Sequence, residues 1–428
     1  MARIVTVVLA AAVFAPQLAF GAGLDALTQY KKGNIKIGVL KLNPYAGVTE
    51  TYDSNIYLRP KVKQAGENSV IGSWITEANA GLKFKLPVTS MHQFAGGYDF
   101  VGQIYDKEPS HNNGVNQKAD LAYMYKGPAG FSAKLSDAYM NTVDPASSEL
   151  VDRERRWQNT GSAMFDYAPE GGMFFFGASG EHVTHKYLSA SMSALLNRYE
   201  QTVGGRTGFL LQPKTRLYVG YRRQIIHYNS GAYNTTLARY VPNERNSKAH
   251  LIDVGIEGNI APKLKGQIQT GYSLREYDDN WVNFANKTSV TRNWIVATDL
   301  TYNPVERVEM KLGFSRALKE SASGPRFYIN NAVNVDYKHK LPGKVTFLAG
   351  AAFGIDKYAD ATTVGTGTNA MTACRRDDLY MQKVGLDYDI QEWVKVGAGY
   401  QHRARNSIFT RQYNYDDHLS SVNLKMSF

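Results

Sequence analysis

The sequence predicts an all-β chain, a closed antiparallel transmembrane β-barrel of about 18 strands, with 16 as the alternative count. Three observations carry this expectation. Apolar and polar residues alternate in one segment after another, most plainly at the end, where Val422, Leu424, Met426 and Phe428 interleave with Asn423, Lys425 and Ser427. Short proline- or glycine-bearing turns recur at a nearly constant interval. Longer polar connections fall between them, giving the short-turn, long-loop asymmetry of outer-membrane barrels.

Taken from its start, the chain opens with Arg3 ahead of an apolar run over 4–14 and the small-residue stretch Ala19-Phe20-Gly21-Ala22. That is the layout of a secretory signal. Residues 1–22 are therefore expected to be a signal peptide, 23–41 a periplasmic N-terminal segment and 42–428 the barrel. No later segment reaches the ~18 apolar residues that a membrane-spanning helix needs. The composition includes 28 Tyr and 38 Gly, and the mean hydropathy is negative although 43% of residues are hydrophobic. Alternating strands produce such a mean, because each lipid-facing residue is averaged with a lumen-facing polar one.

Strand boundaries follow from the turns. Short turns with strand on both sides lie at 86–90, 127–130, 169–172, 212–214, 261–263, 303–305, 341–343 and 391–392. Proline presets φ for a tight turn and glycine supplies positive φ. The prolines at 87, 128, 169, 213, 262, 304 and 342 are spaced about 38 to 49 residues apart, room for two strands of roughly 10 residues, a turn and a longer loop. Those loops are placed at 58–68, 108–115, 141–153, 187–192, 230–247, 278–288, 320–325, 359–375 and 406–412. A propeller repeats at a similar interval, but no blade signature recurs and the strands are long for a blade.

Within the strands, one face is apolar and the other wet. Leu264, Ile268, Tyr272 and Leu274 alternate with Lys265, Gln267, Gln269, Ser273 and Arg275; Val394, Val396, Ala398 and Tyr400 with Lys395, Gln401, Arg403 and Arg405; and Ile329, Val333, Val335 and Tyr337 with Asn330, Asn334, Asp336 and Lys338. If the apolar face meets lipid, every backbone group must be paired and the sheet must close. Tyr125, Phe131, Tyr167, Tyr302, Tyr337, Tyr388 and Trp393, all beside short turns, read as an interfacial girdle.

The formal net charge of +11 attracts polyanions. A secreted chain with no basic run and no nucleic-acid motif is not expected to bind nucleic acid, so anionic lipid headgroups or an anionic solute are the expected partners. Cys374 is the one cysteine, which excludes an intramolecular disulfide. Set in the Gly/Thr-rich 359–375 segment, it reads as an incidental loop thiol.

The segment Asn43-Pro44-Tyr45-Ala46-Gly47-Val48-Thr49-Glu50-Thr51-Tyr52-Asp53-Ser54-Asn55-Ile56-Tyr57 resembles the opening of the Putative beta-barrel porin 2 family, in which Tyr-Asp-x-Asn-Ile-Tyr follows the first strand. Tyr400-Gln401-His402-Arg403-Ala404-Arg405-Asn406-Ser407, then Tyr413-Asn414-Tyr415-Asp416-Asp417-His418 and the terminal Phe428, look like that family's Tyr-rich, Arg-rich last hairpin. Between the two ends the likeness is one of layout. It implies an outer-membrane channel of the kind linked to capsule or exopolysaccharide export in Gram-negative bacteria, and assigns no transport residue. Asp53 and Asn55 have a structural reading beside this one, since Asx side chains order local backbone.

The alternation places Arg216, Arg222, Lys265, Arg275, Lys311, Lys395, Arg403 and Arg405 on the inward face. Rings of such residues select anions in pores. The competing reading pairs them with Asp253, Glu257, Glu309, Asp336, Asp387 and Asp389 to brace the wall. Tyr218 and Tyr328 are candidate platforms for sugar rings, with Tyr380 and Tyr415 on inward or undecided faces.

No enzyme is expected. His182 and His185, three apart in a strand, fall on opposite faces and cannot share a metal, and no H-E-x-x-H signature is present. Gly204-Gly205-Arg206 is followed by no helix to complete a phosphate cradle and reads as a close-packed patch of wall. The expectation is therefore an outer-membrane conduit without cofactor, metal or catalytic residues, translocating an exopolysaccharide, anionic to match the charge above, with periplasmic export or polymerisation proteins as partners. A general or anion-preferring diffusion porin and an outer-membrane enzyme are the alternatives.

Overall fold

The computed structural model describes residues 35–60, 69–144, 153–234, 239–241, 243–278, 290–321, 326–365 and 370–428. The expected signal peptide, the start of the 23–41 segment and parts of the expected loops 58–68, 141–153, 230–247, 278–288, 320–325 and 359–375 lie outside them.

Eighteen long strands form the wall. In chain order they are β1 (Leu40–Asp53), β2 (Ser73–Pro87), β3 (His92–Tyr105), β4 (Gly114–Lys126), β5 (Phe131–Thr142), β6 (Arg156–Tyr167), β7 (Phe174–Tyr187), β8 (Arg198–Gln212) and β9 (Thr215–Tyr228). The second half comprises β10 (Ser247–Ala261), β11 (Leu264–Tyr277), β12 (Val290–Tyr302), β13 (Val308–Glu320), β14 (Phe327–Lys340), β15 (Val345–Val364), β16 (Met371–Asp389), β17 (Val394–Ser407) and β18 (Tyr415–Ser427). Each pairs antiparallel with its sequence neighbours. β18 returns to β1 with Tyr45 opposite Ser427 and Asp53 opposite Leu419, which closes the barrel. Closure removes both sheet edges, the condition for a sheet to exist in lipid. A three-residue strand, Ile35–Ile37, folds back on the start of β1 through Gly38 at φ 58°.

All eight short turns fall where the sequence puts them, seven at the spaced prolines and the eighth at 391–392. Gly171 (φ 73°) and Gly343 (φ 77°) adopt the left-handed conformation that their turns require. The long connections gather at the other end, carrying the short helices Pro109–Asn112, Ala190–Leu196 and Thr410–Tyr413 and a small hairpin of Ala232–Asn234 with Arg239–Val241.

One expected loop is corrected. The 359–375 segment is largely strand: β15 and β16 run 20 and 19 residues, and Ala361 lies opposite Cys374. Thr and Ala side chains sustain the ladder past the membrane, with Thr363 and Thr372 hydroxyls bonded across it at 2.8 Å. A register irregularity between Lys357 and Ala361 marks where the extension departs from the wall. Cys374 is thus an exposed strand residue, not a loop thiol.

The registers sort every strand into two faces. Ile104 (61% exposed), Val203 (59%), Ile252 (58%) and Val422 (58%) stand on the convex face. At roughly 25 cal/mol per Å² such a surface is costly in water and is covered by lipid. Tyr125, Phe131, Tyr167, Tyr302, Tyr337 and Tyr388 share that face at the turn end, where Trp393 stacks on Phe428 at 5.4 Å.

Candidate functional site: the barrel lumen

Side chains from strands that are not neighbours can meet only on the concave side of a closed barrel. Arg206 on β8 bonds Glu257 on β10 at 2.8 Å, and Tyr228 on β9 reaches Glu320 at the end of β13 at 3.1 Å. These contacts define the lumen. By register, Arg216, Arg222, Lys265, Arg275, Lys311, Lys395, Arg403, Arg405, Tyr218 and Tyr328 all lie on the same face as these groups.

Six of the eight cations are held by carboxylates. Arg216 lies 3.6 Å from Glu257, Arg222 3.0 Å from Asp253, and Arg275 2.8 Å from Glu320. Lys395 is 2.9 Å from Asp389, Arg403 2.6 Å from Asp417, and Arg405 3.8 Å from Asp377. The bracing partners are only partly those the sequence suggested, since Asp417, Glu320 and Asp377 come from strands whose register the alternation alone does not reveal. Tyr218 accepts a 2.7 Å hydrogen bond from Gln267 and lies under Arg206. Its ring rests on Gly255, where an added Cβ would sit 2.6 Å from the ring. Gly204 is equally close-packed, an added Cβ meeting Arg222 Cγ at 2.6 Å. Tyr380 is corrected to the convex face: it lies opposite Phe353, 5.1 Å between rings, and is exposed. Tyr415 faces inward and is buried.

Several lumen groups escaped the sequence reading. Lys83 bridges Asp99 at 2.5 Å and Asp120 at 3.4 Å. Glu200 accepts from Arg198 at 3.0 Å beside His185 at 3.2 Å. His182, as its spacing requires, stands on the other face. Lys383 pairs with Asp336 at 2.6 Å. Their alternation parity was available in the sequence, but pairs such as Lys83–Asp120 and Lys383–Asp336 reach across an intervening strand.

At the loop end these pairs merge into a collar of tyrosines and arginines. Tyr105, Tyr228, Tyr277 and Tyr415 are buried at the ends of their strands, and Tyr358 is buried in β15 before its extension. Arg153 lies over Tyr105 at 4.8 Å, Arg326 over Tyr277 at 4.9 Å, Arg375 over Tyr358 at 4.7 Å and Arg405 over Tyr415 at 5.0 Å. A sequence signal exists: Tyr105-Asp106, Tyr228-Asn229 and Tyr277-Asp278 each precede a long loop. The Asp53 and Asn55 pair is ordered locally, as Asx chemistry predicts. The Asn55 amide donates to Asp53 Oδ1 at 2.8 Å, and Asn55 is wholly buried while it clamps Arg59 through both its side-chain ends. Outside the strands, burial and the Glu108 carboxylate, 2.5 Å from its hydroxyl, raise the Tyr57 phenol above its ordinary value.

The turn end is mixed: Arg216 and Lys395, each the second residue of its strand, are paired there, but four lysines are not. Lys265 and Lys311 both lie opposite Thr301, and Lys41 lies opposite Lys85. None of these four has a carboxylate within salt-bridge distance among the described residues.

A closed 18-strand wall with an apolar convex face and a charged, hydrogen-bonded interior defines an outer-membrane barrel of the porin class. The family model described as Putative beta-barrel porin 2 matches residues 193–428, and the chain belongs to that family. Among solved structures, the FrpB iron transporter from Neisseria meningitidis (F3-3 variant) aligns at TM-score 0.45 and 12% identity over 90% of this chain, which spans only 63% of the transporter. The outer membrane protein opdK from Pseudomonas aeruginosa aligns at TM-score 0.45 and 11% identity over 91% of this chain and 99% of its own. The siderophore receptor PirA from Acinetobacter baumannii aligns at 0.41 and 9%, over 90% and 80%. No curated protein sequence matches this chain.

Proposed function

We propose that this barrel conducts an anionic exopolysaccharide outward across the outer membrane, entering at the turn end and leaving past the loop-end collar. The observation that carries the reading is the asymmetry of lumen charge. At the loop end Arg275, Arg403 and Arg405 are locked to carboxylates; at the turn end Arg216 and Lys395 are likewise paired, but Lys41, Lys85, Lys265 and Lys311 have no such partner among the described residues and leave positive charge there. Like charges placed directly opposite, as Lys41 and Lys85 are, cost stability unless an anion visits them. Short turns face the periplasm in barrels of this class, so an anionic solute coming from the periplasm meets the free charge first.

The collar supplies the second requirement. Sugars present hydroxyls and CH faces together, which suits tyrosine rings interleaved with guanidinium groups. The chain carries no nucleotide-binding motif, so polymer synthesis and periplasmic export proteins would supply the drive, and the barrel itself performs no chemistry. A diffusion porin for small anions is the second reading, favoured by the same lysines but not by the collar.

A deletion strain separates them: export predicts loss of secreted polymer with small-solute uptake intact. Normal polymer secretion in that strain, together with an open-tube conductance indifferent to anionic oligosaccharides, would overturn the proposal.

A further inference from the structure

On the convex face, away from the lumen, β17 and β18 bring together three metal-binding side chains. His402 and His418 lie directly opposite each other, and Asp416 is two residues from His418 on the same strand and therefore the same face. The two imidazole rings stack at 4.8 Å with 18° between planes. Both Nε2 atoms converge on one carboxylate oxygen: Asp416 Oδ1 is 2.8 Å from His402 and 3.4 Å from His418. The ligand atoms all lie within 4.8 Å of one another.

We infer that His402, Asp416 and His418 form a binding site for a divalent transition ion of the zinc type, with its remaining coordination position open to water. Two imidazoles and a carboxylate suit zinc, and bonds of ~2.0–2.2 Å to such ligands put the edges of a tetrahedron at roughly 3.3–3.5 Å. The His418–Asp416 separation already matches. The His402–Asp416 contact is a hydrogen bond that opens by about half an ångström when the ion replaces the proton. A further group orients the site: the Tyr400 hydroxyl is 2.7 Å from His418 Nδ1. With its Nδ1–H donated to that oxygen, His418 presents the Nε2 lone pair to the ion, the arrangement that second-sphere partners impose on ligating histidines. Asp416 and His418 are 36% and 47% exposed at the loop end of the wall, so an ion from the medium reaches them. The sequence scan for ligand spacing could not find this site, because 402 and 418 become neighbours only through the β17–β18 register.

The test uses the full barrel in detergent, purified without a polyhistidine tag, titrated with Zn(II) by calorimetry and with Co(II) by its visible d–d absorption. One saturable ion per chain is expected, in the micromolar range or tighter. His418→Gln and Asp416→Asn should each weaken it at least tenfold, Tyr400→Phe by about ten- to a hundredfold, and His182→Gln, an exposed histidine elsewhere on the convex face, not at all. Each variant is first checked for the folded band shift; if one ligand variant fails to fold, the other carries the comparison. Absence of saturable Zn(II) binding, undiminished binding in the folded ligand variants, or equal affinity for Mg(II) would overturn the inference.

Discussion

Removing the Arg403 side chain should cost more than any other single change on the closing seam. Its Nε donates to Asp417 Oδ2 at 2.6 Å and a terminal nitrogen to Asp53 Oδ2 at 3.3 Å. Asp417 is fully buried and Asp53 nearly so, with 0% and 7% of their side chains exposed. The three residues sit on β18, β1 and β17, so the triad ties together the strands that close the barrel. Arg403→Met leaves two adjacent carboxylates buried without their counter-charge. Breaking such a buried group by removing one partner costs about 3–5 kcal/mol, roughly two to three and a half orders of magnitude in the folding equilibrium. Urea unfolding of the barrel in phosphatidylcholine vesicles, followed by tryptophan fluorescence, measures it. The double variant Arg403→Met/Asp417→Asn should recover part of the loss, with a positive coupling in the double-mutant cycle. An Arg403→Met barrel within about 1 kcal/mol of the parent, or a cycle with no coupling, would refute the claim that this triad holds the seam.

Cys374, exposed on the loop-end hairpin of β15 and β16, should react with a membrane-impermeant maleimide on intact cells; labelling only after permeabilisation would invert the orientation argued here. Lys265→Glu with Lys311→Glu changes the charge at each position by two units. At about 0.8 kcal/mol per unit charge at ~5 Å in water, the anion preference in a planar bilayer should fall roughly tenfold or more, and an unchanged reversal potential would remove these lysines from the conduction path. Gly255→Val displaces the Tyr218 ring and its Gln267 hydrogen bond; a loss of about 1–3 kcal/mol is expected, and a neutral effect would show that the ring is not seated there. Tyr57 favours its protonated form when folded, so its contribution to loop stability is present below the ordinary phenol value of 10.0 and is lost as pH rises above it. The phenolate absorbance difference between parent and Tyr57→Phe should therefore titrate on the alkaline side of that value, and a difference appearing below it would contradict the burial.

The architecture was legible because two periods dominate the chain. Side chains alternate every two residues, and turns recur about every two strands, so Pro87, Pro128 and Pro169 already mark where hairpins fold. Lipid permits only closure for such strands, so even the barrel was implied before any contact was seen. Parity likewise put Arg222 and Arg403 on one face and Tyr272 and Val422 on the other. The 359–375 segment misled because its Gly and Thr content signals a loop, while Thr363 and Thr372 in fact sustain a ladder beyond the membrane.

The sequence by itself determined the class of fold, the turn positions and the face that most strand residues take, because these depend on local spacing and on the solvent each face meets. Only the tertiary structure decided the partners. Arg403 meets Asp53 across 350 residues, Tyr228 meets Glu320 across 92, and His402 meets His418 through one register. Such pairings are set by strand stagger around a closed wall, a long-range geometric quantity that no local pattern encodes.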